Sequence, residues 1–271
     1  LWFAAEDGGV LYTSDPGGSL KPVEGGPPSA THLLQDALGT LWAATSDGHL
    51  WHLDGTWAAV PSEPQGTLTA LAAGNTDELW VAWADAVGRL SENDWNLFSG
   101  QDGLPAGGCT VLTPGYDGQI WCASKSELAR YDGQSWEAIR LPEFATASEI
   151  HTLYPDQAHG LFVGTSQGIL LRTAESWSSY TTADPAIGVP SDMVEAPDGS
   201  LWLALGPGGM LRYAEERWHT YAAPKDANGS VFPIEHLFSP GDGTIWAAGP
   251  GYLAQMDPAS GDVLYHSQCL A

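Results

Sequence analysis

Along this chain apolar residues alternate with polar ones or sit in short runs bounded by Gly, Pro, Asp and Asn. That is the pattern of half-buried strands, and no stretch carries the helical period. The predicted elements recur. An aliphatic residue followed by an aromatic one stands at Leu1-Trp2, Leu41-Trp42, Leu79-Trp80, Ile120-Trp121, Leu161-Phe162, Leu201-Trp202 and Ile245-Trp246. Successive copies lie 40, 38, 41, 41, 40 and 44 residues apart. This is the period of a propeller built from four-stranded blades.

Each repeat spells out four strands. A large apolar residue stands eight positions before the marker, as Leu33, Leu71, Leu112, Leu153, Met193 and Leu237. A turn rich in Asp and Gly follows, such as Asp198-Gly199, whose dihedral preferences suit a tight hairpin. The marker strand then places a small residue two positions after its aromatic: Ala4, Ala44, Ala82, Ala123, Gly164, Ala204 and Ala248. A third strand reads as in Leu128-Ala129-Arg130-Tyr131. The fourth opens on Trp57, Trp95, Trp136, Trp177 or Trp218, replaced in the first and last repeats by Leu20 and Val263. Tryptophan at two fixed places per repeat is expected to pack blade against blade. The pattern predicts an all-β chain forming one domain over residues 1–271. The expected fold is a seven-bladed β-propeller of four-stranded antiparallel blades, the first lacking its innermost strand within this chain.

The repeat resembles the two-component regulator propeller repeat family. The resemblance rests on Ile120 to Trp136 (IWCASKSELARYDGQSW), Leu161 to Tyr180 (LFVGTSQGILLRTAESWSSY) and the inter-blade run Gln101-Asp102-Gly103-Leu104-Pro105. It implies a bacterial sensory or scaffold propeller, often the extracytoplasmic part of a larger signalling protein, with carbohydrate among the ligands sensed. It carries over no catalytic residues, because the family motif is structural. The sequence departs from it at a shortened third strand around Gly88-Arg89-Leu90, and at Gly249-Pro250-Gly251. The streptogramin lyases share a similar fold and imply an enzymatic alternative.

Charge narrows the partners. Thirty-three Asp and Glu face nine Lys and Arg, a formal charge of −24. Such a field repels nucleic acid and disfavours anionic membranes. No run is long and apolar enough to span a membrane, and no signal peptide stands at the start. The chain reads as excised from something longer, and the resemblance places it in the periplasm or outside the cell. Three cysteines, Cys109, Cys122 and Cys269, make no disulfide framework. Cys109 and Cys122 fall on neighbouring strands about two residues out of line, an offset that strains a bridge, so buried free thiols are expected, with a Cys109–Cys122 bridge as the alternative.

Candidate chemistry gathers where the inner strands begin. Ten residues before each marker stand Thr31, Thr69, Thr110, His151, Ser191 and Glu235, expected at the mouth of a central channel. His151 and Glu235, with Glu149 on the same face as His151, are the ionisable members. As a binding set they would touch a small molecule or carbohydrate, or a protein partner. As a catalytic set, His151, Glu149 and Glu235 would do acid–base work in a lyase. Trp83 takes a slot held elsewhere by Thr or Ser and is followed by Asp85, offering a stacking platform. Tyr252 is the equivalent aromatic in the last repeat. No metal-ligand or phosphate-loop motif is present. No cofactor is expected beyond weak Ca²⁺ or Mg²⁺ association with the acidic surface. The reading is a non-catalytic ligand-binding or sensing propeller. The alternatives are a lyase resembling the streptogramin lyases and a purely structural scaffold.

Overall fold

The structure, a computed structural model, describes residues 2–5, 9–12, 21–61, 66–74, 78–91, 94–116, 118–146, 148–157, 160–174, 176–180, 188–225 and 228–268. The chain divides into two compact units, Leu1–Ala147 and Ser148–Ala271.

The first unit opens on a three-stranded sheet of β1 (Trp2–Ala5), β2 (Gly9–Tyr12) and β3 (Lys21–Pro22). Three four-stranded blades follow. Blade 1 holds β4 (Ala30–Gln35), β5 (Leu41–Thr45), β6 (Leu50–Asp54) and β7 (Thr56–Ala59). Blade 2 holds β8 (Leu68–Ala73), β9 (Glu78–Trp83), β10 (Val87–Ser91) and β11 (Asp94–Phe98). Blade 3 holds β12 (Val111–Pro114), β13 (Ile120–Ala123), β14 (Leu128–Tyr131) and β15 (Trp136–Ile139).

The second unit contains three more blades. Blade 4 is β16 (Ile150–Asp156), β17 (Gly160–Thr165), β18 (Gly168–Arg172) and β19 (Trp177–Tyr180). Blade 5 is β20 (Asp192–Glu195), β21 (Leu201–Ala204), β22 (Met210–Ala214) and β23 (Arg217–Tyr221). Blade 6 is β24 (His236–Phe238), β25 (Ile245–Gly249), β26 (Tyr252–Met256) and β27 (Val263–Gln268). Every blade is an antiparallel meander in chain order.

The expected count of seven blades is corrected by this pairing. Among the described residues six sheets have four strands and the opening sheet has three, so the all-β propeller comprises six four-stranded blades. The marker dipeptide labels the second strand of a repeat. It therefore scores a repeat whether or not an inner strand lies beside it, and counting markers overstates the blades. Leu1 and Leu20 lie outside the described residues.

The repeated residues fall where apolar burial requires them. The marker strands of blades 3 and 5 are buried along their length and that of blade 2 from Leu79 onward, because sheets cover them on both faces. The small residue two after the aromatic is fully buried at Ala44, Ala82, Ala123 and Ala204. The aromatics fill the gaps between neighbouring blades. Trp80 of blade 2 meets Tyr131 and Trp136 of blade 3, with ring centroids 4.9 and 5.9 Å apart. Phe162 of blade 4 meets Tyr213 of blade 5 at 5.8 Å. Three arginines cover marker indoles from the neighbouring strand: Arg89 over Trp80, Arg130 over Trp121 and Arg212 over Trp202. Each also pairs with an acid, Glu78, Glu137 or Asp198, so three of the chain's nine cations are committed within blades.

The Asp-Gly-Leu-Pro run forms a capped turn. The Ser99 hydroxyl accepts the Gln101 N–H, the Asp102 carboxylate accepts the Ser99 N–H at 2.8 Å, and Gly103 takes a left-handed φ of 100°.

Cys109 and Cys122 form a disulfide, with their Cα atoms 5.5 Å apart. This corrects the expectation of free thiols. Val111 pairs with Ala123, yet Thr110 also donates its N–H to the Ala123 carbonyl. Two residues thus oppose one. This β-bulge displaces the chain at Cys109 and brings the two cysteines together across the expected offset. Cys269 lies outside the described residues.

Candidate functional site

The bulge at Thr110 recurs at the head of every inner strand. Register shifts fall between Ala30 and His32, Leu68 and Ala70, and Ile150 and Thr152. Ser191 and Glu235 donate their N–H groups to Ala204 and Ala248, which also face Asp192 and His236. The extra residues are therefore Thr31, Thr69, Thr110, His151, Ser191 and Glu235, the six positions singled out in the sequence. A bulge turns its extra side chain out of the ladder, and Thr31, Thr110, His151 and Ser191 are exposed.

Hydroxyls at this position are spent on carbonyls. Thr31, Thr69, Thr110 and Ser191 donate to Ala44, Ala82, Ala123 and Ala204 at 3.2–3.4 Å. Two also reach the next inner strand: Thr69 to the Cys109 carbonyl at 2.6 Å, and Ser191 to the Glu235 carbonyl at 2.9 Å. A carboxylate has no proton to donate to a carbonyl. Glu235 therefore cannot copy this bond, and its side chain is left half-exposed beside the Ser191 link.

The second compact unit concentrates the ionisable groups. His151 heads β16, Ser191 stands before β20 and Glu235 before β24, so Ser191 separates the two ionisable residues in strand order. Glu149, just before β16, is exposed. Its N–H donates to the Ser166 hydroxyl, and its carbonyl accepts the Ser166 N–H.

One residue further along, Asp192 bridges two blades. Its carboxylate accepts the Met193 N–H at 2.8 Å and the Leu237 N–H of β24 at 2.9 Å. His236 places Nδ1 3.8 Å from the same carboxylate, an ion-pair separation rather than a hydrogen bond. The Asp192 carboxylate beside the ring raises the His236 pKa above the usual imidazole value. Burial opposes the rise, and the charges of Asp192 and Glu235 add to it. Asp192 and His236 stand outside the candidate set drawn from the sequence. The available signal was an acid and a base at equivalent positions of consecutive repeats.

The remaining candidates separate by burial. Asp85 is exposed at the tip of the β9–β10 hairpin, which the Trp83 N–H closes onto the Ala86 carbonyl. Trp83 itself is 2% exposed. Its ring packs edge-on against Trp95 at 5.4 Å. The third strand of blade 2, expected to be shortened, is a full five residues, and room for this indole comes from Gly88, where a Cβ would lie 2.8 Å from both rings. Tyr252 is buried too, stacked on Phe232 at 5.1 Å, and burial pushes its phenol pKa up. Trp83 and Tyr252 thus lie between blades, while His151, Glu149 and Asp85 face solvent. Among the described residues no group of three His, Cys, Asp or Glu side chains is placed to hold a metal ion. No described helix is long and apolar enough to cross a membrane.

Known structures share this fold. Virginiamycin B lyase from Staphylococcus aureus superposes with a TM-score of 0.74 at 14% identity, over 90% of this chain and 85% of that one. The extracellular domain of a protein described as a one component system of B. thetaiotaomicron gives 0.75 at 16% identity, over 91% of this chain and 35% of that one. That of a hybrid two component system from the same organism gives 0.67 at 16%, over 93% and 39%. The last two are much longer chains, of which this one spans little more than a third. At these identities the likeness is one of fold. No protein-family model matches the chain. No curated protein matches it either.

Proposed function

We propose that this chain is a non-catalytic ligand-binding or sensing propeller, one domain of a longer bacterial signalling or surface protein of the two-component regulator propeller kind. The observation that carries the reading is the row of bulge residues in blades 4 to 6. Where the other inner strands use hydroxyls tied to carbonyls of the adjacent marker strand, this row presents an imidazole at His151 and a carboxylate at Glu235. Ser191 between them is held by the Ala204 and Glu235 carbonyls. A small molecule or carbohydrate lying across Ser191 would meet hydrogen-bonding groups on both sides. A protein partner would use the same groups with the flanking loops. The charge of −24 argues against nucleic acid.

An extracytoplasmic location is supported by the Cys109–Cys122 bridge, since disulfides persist in oxidising compartments. The fold likeness to extracellular sensor domains supports it further. The second reading is a lyase, in which His151 with Glu149 or Glu235 moves a proton. It is favoured by the presence of an imidazole and two carboxylates at the heads of inner strands, and by the fold shared with virginiamycin B lyase.

A thermal-shift screen of oligosaccharides against the purified chain tests both readings. The sensing reading expects one sugar class to raise the melting temperature of the native chain. It expects His151→Ala or Glu235→Ala to lose that response while leaving the unliganded stability within about 0.5 kcal/mol, as for other exposed positions. A response kept in the double variant would sink it. Turnover of virginiamycin B by the native chain, lost in His151→Ala, would establish the lyase instead.

A further inference from the structure

The fourth strand of each blade opens on a residue at one fixed register. Trp57 faces Leu53, Trp95 faces Leu90, Trp136 faces Tyr131, Trp177 faces Arg172 and Trp218 faces Tyr213. In blade 6 the register is filled by Val263, facing Met256. The register predicts what is missing. Trp136 packs into the blade 2 interface, 5.9 Å from Trp80 and 6.1 Å from Phe98. Trp218 packs against Tyr180 of blade 4 at 6.0 Å. The corresponding aromatics of blade 5, Trp202 and Tyr221, lie 4.8 Å from each other and face blade 6, where Val263 stands at the tryptophan register.

A cavity of about 290 Å³ occupies this place. Its walls include Tyr221, Ile234, Ala247, Tyr252, Met256 and Val263. Val263 is 45% exposed, against 6% for Trp136 at the same register, so the cavity opens toward solvent beside it. One end is closed by the Tyr221 ring, which lies so near Gly261 that a Cβ there would strike it. The walls are mainly apolar and aromatic, with Thr220 also lining them. An apolar void that its surroundings do not collapse to fill is a site for apolar ligands.

We propose that this cavity between blades 5 and 6 binds a small planar aromatic molecule of indole size, seated where the other blades place tryptophan. The same slots elsewhere show what recognition it needs. The Nε1 atoms of Trp57, Trp95, Trp136 and Trp218 are buried with no hydrogen-bond partner among the described residues. The slot therefore offers dispersion and edge-to-face contact, not an acceptor for the indole N–H. An N-methylated indole should bind as well as indole itself. The site is separate from the inner-strand row and stands or falls apart from the sensing reading.

The test is calorimetric and thermal titration of the full chain with indole and 1-methylindole. At about ten times the dissociation constant, each should raise the melting temperature by roughly 3 °C. Val263→Trp should fill the cavity and remove the response, while His151→Ala should keep it. A second readout needs no variant. Of the chain's three methionines, Met210 and Met256 line the cavity and Met193 sits in the blade 4–5 cluster. Indole should shift the first two labelled methyl resonances and leave the third in place. A Met256 methyl unmoved at saturating indole, or a folded Val263→Trp chain that still binds, would overturn the proposal.

Discussion

Replacing Trp136 by alanine measures how much one blade-to-blade indole contributes to stability. The side chain is 6% exposed, with ring contacts to Trp80 at 5.9 Å, Phe98 at 6.1 Å and Tyr131 at 5.4 Å. A tryptophan buried to this degree removes up to about 250 Å² from water. At roughly 25 cal/mol per Å² that corresponds to about 6 kcal/mol, an upper figure because the unfolded chain already hides part of that surface. Large-to-alanine changes in cores cost about 3–5 kcal/mol. Trp136 Nε1 has no partner among the described residues, so truncation strands no hydrogen-bonding group. The expected loss is therefore about 4 kcal/mol, all of it packing. Urea unfolding of the full chain reads it as a lower midpoint at unchanged slope. Leu97→Ala, at a side chain 55% exposed, is the control and should cost less than about 0.5 kcal/mol. A loss under about 1 kcal/mol for Trp136→Ala would refute the assignment of these indoles to interface packing.

Two further outcomes follow from the bridge and the acid–imidazole pair. Thiol titration of the denatured chain should count one free thiol before reduction and three after, and reduction should cost about 2–4 kcal/mol; three thiols in the oxidised protein would refute the pairing. Raising the folded pKa of His236 means its stabilisation is full below the unfolded imidazole value and is lost as pH rises through the folded one. With 76% of the side chain exposed the effect on stability is small, so NMR titration is the proper readout. Asp192→Asn should bring the His236 pKa down toward its ordinary value, and an unchanged titration would show that Asp192 is not the cause. Asp192→Ala also leaves the Leu237 N–H without its acceptor, and should cost about 1–3 kcal/mol.

Strand identity and blade spacing could be read from the sequence because both are local. Alternation reports burial on one face of a strand, and a repeat must present its aromatics at the same register each time to meet the next blade. The six positions ten residues before each marker were legible for the same reason, although their being bulge residues was not. A bulge is one extra residue in a pairing, visible only when the partner strand is known. That missing information made Cys109 and Cys122 look out of line, when the bulge at Thr110 brings them to bonding distance. It also hid the Asp192 bridge, since which backbone N–H meets a carboxylate is a matter of how two blades dock. The sequence alone determined that this chain is all-β, repeats near 40 residues and carries a strongly acidic surface. Tertiary structure decided that six blades have four strands, that Trp83 is walled in beside Gly88, and that Val263 leaves a cavity. Each of these depends on what a neighbouring sheet does with the space, which no single strand encodes.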